Sequence, residues 1–549
     1  MTRYLSMAGL GALTRPSTGV PLQWARESIR GRAESSLIRP GKSDAARVVF
    51  NPSPSSLMCA GMSFSVSLFY PNVSLSSTVM AAALQHLVDE VPILAGRTAR
   101  ETSSLIHRFS DHVIVVRPAG GVGFSFRTEA REHRTLRQAV DAIWRNNEPL
   151  RLHTRRTAAH TIEPIRLGKT EDDELAHVDL VRYADGAVLS LHVSHILADA
   201  GRATKLLERL SVIYEAIQND KPIPRGTITC DSWFDAALNE AESRSPHCPT
   251  ARAASAAPTA NDMLRLSPSR ILEFVRAFHS YTTTRFVPLH IYVPRDAVTA
   301  MLARAASGGK QNADNDVECR DHATLAAPSW IPLNSSPVTL SKMDIVQALA
   351  VTMIRRARPE MDGEINVVIN MDLSMIYPPL RPKDDSRRTP PSDILGNSSV
   401  FLQIRGTDFH PHDVVHNARL LRRAINEFRA NARGNVSAAL RKTAAMSSLP
   451  KTAVHAAFIL HGTREKLASC TAVASFPVDT ISFEGVAPAF HWVDSHVGFD
   501  WWSIVSRVSG ELTPGMDGWV VTMNVPEAAR DRIAGYMKLQ QEFVFRACL

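Results

Sequence analysis

Cysteine is scarce: the chain has six in 549 residues, at positions 59, 230, 248, 319, 470 and 548, with no CxxC pair among them. That scatter excludes a sequence-readable disulfide framework or cysteine-based zinc site, and it reads as reduced thiols in a cytoplasmic protein. Long apolar runs are missing as well. No stretch approaches the roughly 18 residues a membrane span needs, so none is expected. An excess of one charge is absent too. The 62 basic and 54 acidic side chains leave a net +8 without dense Lys/Arg runs, which excludes the electrostatic footprint of a nucleic-acid binder and suits a small anionic ligand better. No internal repeat is visible. The first acidic residue is Glu27, preceded by Arg3, Arg15 and Arg26 among serines; a mitochondrial presequence is therefore the alternative to a cytoplasmic location.

What is present is an ordinary globular composition, 44% apolar and 21% charged, in a chain too long for a single hydrophobic core. Helix-period and strand-period patterns alternate throughout, which argues for an α/β class. The Ala/Pro/Ser-rich stretch "SRSPHCPTARAASAAPTAN" (243–261) has no periodicity and marks a boundary between two halves. The expected organisation is a basic, poorly ordered tail (1–45), a first domain (46–245), a linker (246–285) and a second domain (286–549). Two further stretches, 307–335 and 381–393, read as insertions.

Within the first half, "LSSTVMAAALQHLVDEV" (75–91) offers serines for an N-cap and an apolar stripe of Met80, Leu84, Leu87, Val88 and Val91, with Pro92 as a stop. A second stripe, Leu206, Leu210, Ile213 and Ile217, predicts a helix after Asp199. Just before it stands "SLHVSHILADAGR" (190–202), in which an alternating run ends at a histidine four residues before an acid.

His195 shares strand parity with Leu189, Leu191 and Val193 and so faces the apolar side, whereas His192 points the other way. Three readings stand side by side. The histidine is a core residue bonded to backbone, or a metal ligand, or a general base whose near-neutral pKa lets it take and return a proton. Metal binding would need His192 beside His195, and parity puts them on opposite faces; no metal site is expected.

Matched segments flank this stretch. "HVDLVRYADGAVLSLHVSHILADAGRATKLLERLSVIYEA" resembles the central motif of the BAHD acyltransferases, in particular their divergent fungal branch, in which a strand ends at H-x-x-x-D-G/A before a helix. Upstream, "FSVSLFYPN" and "VPILAGR" (91–97) are similar to the family's aromatic strand and Pro-Leu-Ala-Gly-Arg turn. Downstream, "HIYVPRDAVTAML" (290–302), "SKMDIVQALAVTMIRRARP" (341–359), and "VVINMDLSMIYPPL" (367–380) with "ILGN" (394–397) resemble the first strand, first long helix and double-proline strand of the second domain. The family's Asp-Phe-Gly-Trp-Gly-Lys-Pro motif maps to Ser482-Phe483-Glu484-Gly485-Val486-Ala487-Pro488, where only Phe483 and Pro488 survive, and "GMDGWVVTMNVPEAARDRI" (515–533) follows as the final strand and helix. Ser482 replaces the motif's aspartate, and Leu373 and Met375 stand where family members carry arginines.

The resemblance implies two chloramphenicol-acetyltransferase-like domains, mixed sheets with flanking helices, meeting along a channel, in a monomer. It implies an O-acyltransferase that moves acetyl or a longer acyl group from acyl-CoA to a hydroxyl, with an amine as the lesser alternative, of a small secondary metabolite or glycolipid. Acyl-CoA is then a co-substrate, and no permanently bound cofactor is needed. His195 becomes the general base of a ternary complex, Asp199 the structural support of the motif, and Thr471 the hydroxyl that maps onto the family's oxyanion element. Asp199 loses the arginine that holds it in typical members. Arg355, Arg356 and Arg358 are coenzyme-phosphate candidates by residue type, and a solvated helix end explains them equally well. The alternative function is a catalytically weak relative that binds a small molecule. A condensation domain working on a carrier-bound acyl group is a third reading, against which Ser194 stands where that family doubles the histidine.

Overall fold

The computed structural model describes residues 34–38, 40, 48–53, 56–57, 63–100, 112–116, 123–140, 174–226, 228, 286–308, 338–357, 366–372, 399–404, 409–410, 413–430, 432–447, 467–495, 502–512 and 515–533. The 246–285 linker, the 381–393 insertion, the 394–397 turn, and most of the 1–45 tail and of the 307–335 insertion lie outside these residues.

Strand β3 (Ser63–Pro71) shows how the sequence builds a strand buried on both faces. Val66, Leu68 and Tyr70 face one way into an apolar cluster, while Ser65 and Ser67 face the other and are equally buried. The predicted helix follows as α1 (Ser77–Glu90): the Ser76 hydroxyl accepts from the Val79 N–H at its start, and Val91, just before Pro92, closes it. Met80, Leu84, Leu87 and Val88 are buried as the spacing predicts. Helix α2 (Ala200–Gln218) likewise buries Leu206, Leu210 and Ile213, with Ile217 packed at the edge of the same cluster.

Among the described residues, a twelve-stranded sheet runs through both halves of the chain. Its first half places β1 (Glu34–Ile38), β6 (Phe124–Arg131), β7 (Ala176–Tyr183), β8 (Gly186–Ser194) and β3 side by side. β13 (Phe490–Ser495), from the second half, pairs antiparallel with β3 from Phe490↔Phe69 to Ser495↔Phe64. Beyond it lie β14 (Trp502–Val508), β12 (Leu467–Ala472), β10 (Asn366–Asp372) and β11 (Ser399–Ile404), with β15 (Gly518–Pro526) and β9 (Phe286–Pro294) branching from β14. β6–β7, β10–β12 and β12–β14 are parallel and the other pairings antiparallel, so the sheet is mixed. A small sheet of β2 (Val48–Phe50), β5 (His112–Val116) and β4 (Arg97–Arg100) stands apart.

Helices α1 and α2 cover one face in the first half. In the second half, α3 (Arg295–Gly308), α4 (Lys342–Ala357), α5 (Val414–Ala430) and α6 (Ala432–Ser447) pack on a separate cluster around Ile291, Ile369 and Val521. The segment after β12 leaves that cluster: Val473, Val478, Ile481 and Phe483 are buried in the first-half core. Phe483 sits edge-on to both Tyr70 and Tyr214, and Phe483 and Val486 bridge a tight turn whose central Glu484 and Gly485 have φ of 54° and 74°. The degraded motif thus folds as a turn that plugs the second half into the first. Among the described residues, no helix is long and apolar enough to cross a membrane.

Candidate active site

β8 lies between β3 and β7, so its end is held by antiparallel ladders on both sides. The ladder stops at Ser194, whose N–H reaches the Leu175 carbonyl and whose carbonyl accepts from Leu197 at 2.9 Å. His195 is the first residue of that turn. Its imidazole tilts over the Phe64 ring at a centroid distance of 4.6 Å. The residue keeps some exposed surface, but Nδ1 is sealed from solvent and has no hydrogen-bond partner among the described residues. Burial pushes its pKa down to about 4, which keeps the ring neutral at physiological pH.

Asp199 is the N-cap of α2. Its backbone is extended (φ −88°, ψ 178°) and its carboxylate accepts the Arg202 N–H at 2.9 Å. The structure therefore gives this acid a partner on its own helix, which the sequence left open. Gly201 sits where the two halves touch: a Cβ there would come within 2.9 Å of Phe476 Cε1 and 3.3 Å of Asp372 Oδ2. Arg202, its side chain 3% exposed, places Nη1 3.7 Å from the same Asp372 oxygen.

Thr471 lies in β12, with Ile504 of β14 on one side and β10 on the other. Its hydroxyl accepts from Asn370 Nδ2 at 2.8 Å, which leaves the hydroxyl's own proton to be donated elsewhere. Asn370 Oδ1 is buried with no partner among the described residues. Asn370 and Asp372 share the same face of β10: Asp372 meets the start of α2 at Gly201 and Arg202, and Asn370 fixes Thr471. Arg355 Nη1 donates to the Phe409 carbonyl at 2.8 Å; the side chain of Arg356 and all of Arg358 lie outside the described residues.

His192, read from alternation as pointing outward, is buried at 7% exposure. Its Nδ1 is 2.7 Å from the Ser65 hydroxyl, its Nε2 3.3 Å from Asp179 Oδ2, and its ring stacks on His177 at 4.3 Å. His177, Asp179 and His192 are metal-ligand types brought within 4.8 Å of one another. An arginine already supplies the cation. Arg127 grips both Asp179 oxygens at 2.7 Å and reaches His177 Nε2 at 3.2 Å, and the two imidazoles lie in nearly parallel planes, 15° apart. Burial raises the Asp179 carboxyl, but the hydrogen bond to His192 and the charges of His192, His177 and Arg127 outweigh it and hold the group well below the usual carboxylate range. This cluster lies on the face of β8 opposite His195.

His195, Asp199 and Thr471 are legible in the sequence, whereas Arg202, Asp372 and Asn370 are not. Their roles depend on cross-strand and cross-half pairing that no local pattern carries.

No family model and no curated sequence matches the chain. Solved structures do. TRI101 of F. graminearum, complexed with ethyl coenzyme A, superposes with a TM-score of 0.56 at 12% identity over 91% of this chain and 100% of that one. TRI101 of F. sporotrichioides, complexed with coenzyme A and T-2, gives 0.55 at 11% identity over 91% and 100%. Vinorine synthase gives 0.52 at 12% identity over 94% and 100%. At such identities the likeness is one of fold: the chain has the α/β fold of the BAHD-type, chloramphenicol-acetyltransferase-like acyltransferases, a large mixed sheet with flanking helices.

Proposed function

We propose that this protein is an acyl-CoA-dependent acyltransferase that moves an acyl group from the coenzyme thioester to a hydroxyl of a small molecule. His195 is the general base. As the acceptor oxygen attacks the thioester carbonyl, its proton passes to the imidazole; a C–O bond forms and the carbonyl becomes a tetrahedral oxyanion. Collapse breaks the C–S bond, and the imidazolium returns the proton to the departing coenzyme thiolate. No acyl-enzyme is required. Thr471 supplies a hydroxyl donor to the oxyanion, for which the Asn370 amide has already taken the acceptor side.

The observation that carries this reading is the state of His195: a neutral imidazole at the end of a central strand, its Nδ1 without a hydrogen-bond partner among the described residues. A histidine placed only for packing is satisfied by a backbone partner. A small-molecule acceptor is supported by structures of the same fold, whose complexes include coenzyme A together with T-2 mycotoxin and coenzyme A together with deoxynivalenol. Mass spectrometry of products, using acetyl- and longer-chain coenzyme thioesters against hydroxylated and amino acceptors, tests the reading. An acyl mass added to a hydroxylated acceptor is the expected result; transfer to amines alone, or none to any acceptor, overturns it.

A further inference from the structure

The turn that carries His195 is tied to the second half by Gly201 and Arg202. Gly201 leaves no room for a side chain between α2 and the pair Phe476 and Asp372. Arg202 is nearly free of solvent, and a guanidinium that deep is stable only with a counter-charge beside it. Asp372, at the end of β10, supplies the charge. The same arginine's backbone N–H donates to the capping carboxylate of Asp199, so cap, helix start and cross-half ion pair are linked through one residue. Asp372 precedes Leu373, which stands where the resembling family carries an arginine; here the acid comes from the second half and the base from the first.

We propose that Arg202 and Asp372 form a positioning pair that sets the His195 turn against the strands bearing Asn370 and Thr471. The kinetic consequence rests on the acyl-transfer reading; the structural one does not. Neither residue is placed on substrate. Their effect is on the distance between base and oxyanion donor, to which transfer rates are steeply sensitive.

The test compares Arg202→Met, Asp372→Asn and the double variant Arg202→Met/Asp372→Leu, which removes both charges of the pair together. The expected result is a kcat lowered about 10- to 100-fold with KM for acetyl-CoA changed by less than about twofold, single and double losses that do not add, and amide exchange over residues 196–203 accelerated about tenfold. A folded double variant with wild-type kcat overturns the proposal. Should the double variant fail to fold, Asp372→Asn, which keeps the side-chain shape, carries the same readouts. If the wild-type protein transfers no acyl group, the acyl-transfer reading falls and the exchange measurement decides alone: faster exchange at 196–203 in the variants supports the pair as the holder of the turn, and unchanged exchange overturns it.

Discussion

Two residues dominate the proposed chemistry: His195, kept neutral by burial, and Thr471, whose hydroxyl keeps its proton for use. Because the His195 pKa is pushed down to about 4, the acid limb of kcat/KM, which reports the free enzyme's essential base, is expected near pH 4 rather than near the ordinary histidine value of about 6.5. A pH–rate profile checks this. Thr471→Val removes the donor while preserving the strand's branched shape, and a loss of about 2–4 kcal/mol in transition-state stabilisation, read as kcat, is expected. The same substitution strands the Asn370 amide that now donates to Thr471, so a chemical-denaturation curve separates any stability loss from the catalytic one.

The parity of His195 was legible in the sequence, since Leu189, Leu191 and Val193 all enter the helix-covered core as alternation requires. His192 was legible only in part. Alternation says that it points to the other face, but whether that face is covered depends on Ser65, His177 and Arg127, which arrive from three other strands.

At the scale of elements, α2 is organised around its first turn. Asp199→Ala removes the cap and is expected to cost about 0.5–2 kcal/mol in unfolding free energy, whereas Asp199→Asn, also a good cap, recovers most of it. Urea titration of both variants checks the pair; equal losses would show that the negative charge, not the cap geometry, is what α2 needs. Helices α1 and α2 were readable because each combines a capping residue with an apolar stripe at helical spacing. The strand preceding α3 and the helix α4 were placed by the resemblance and stand at Phe286–Pro294 and Lys342–Ala357. The contact of Gly201 with Phe476 and Asp372 was not readable, because three segments far apart in sequence must fold before it exists. The turn at 482–488 shows the opposite case: most of its motif letters have changed, yet Phe483 still anchors it between Tyr70 and Tyr214.

At the scale of the whole molecule, the β3–β13 pairing makes one hydrogen-bonded sheet from two halves of the chain, and the segment from Val473 to Phe483 crosses to fill the first-half core. Buried titratable groups are spread across this frame. His195 and His491 are both pushed down to about 4 by burial. Below their unfolded value of about 6.5 the unfolded chain takes up protons that the folded protein refuses, so their contribution is full above that pH and is lost progressively as pH falls toward 4. Asp179, held low by its neighbours, adds stability above the ordinary carboxylate range that is lost only at more acidic pH. Unfolding free energy is therefore expected to fall continuously from about pH 6.5 downward; a flat profile between pH 6.5 and 4 would contradict the burial of these two histidines.

Whether His195 drives transfer from a coenzyme thioester is decided by following free thiol release and acyl addition when the wild-type protein and His195→Ala are incubated with acetyl-CoA and a hydroxylated acceptor. Acceptor-dependent thiol release by the wild type and a rate at least ~100-fold lower for the variant are expected; equal rates, or no release by a wild-type protein shown to bind both substrates, would remove His195 from the role of base.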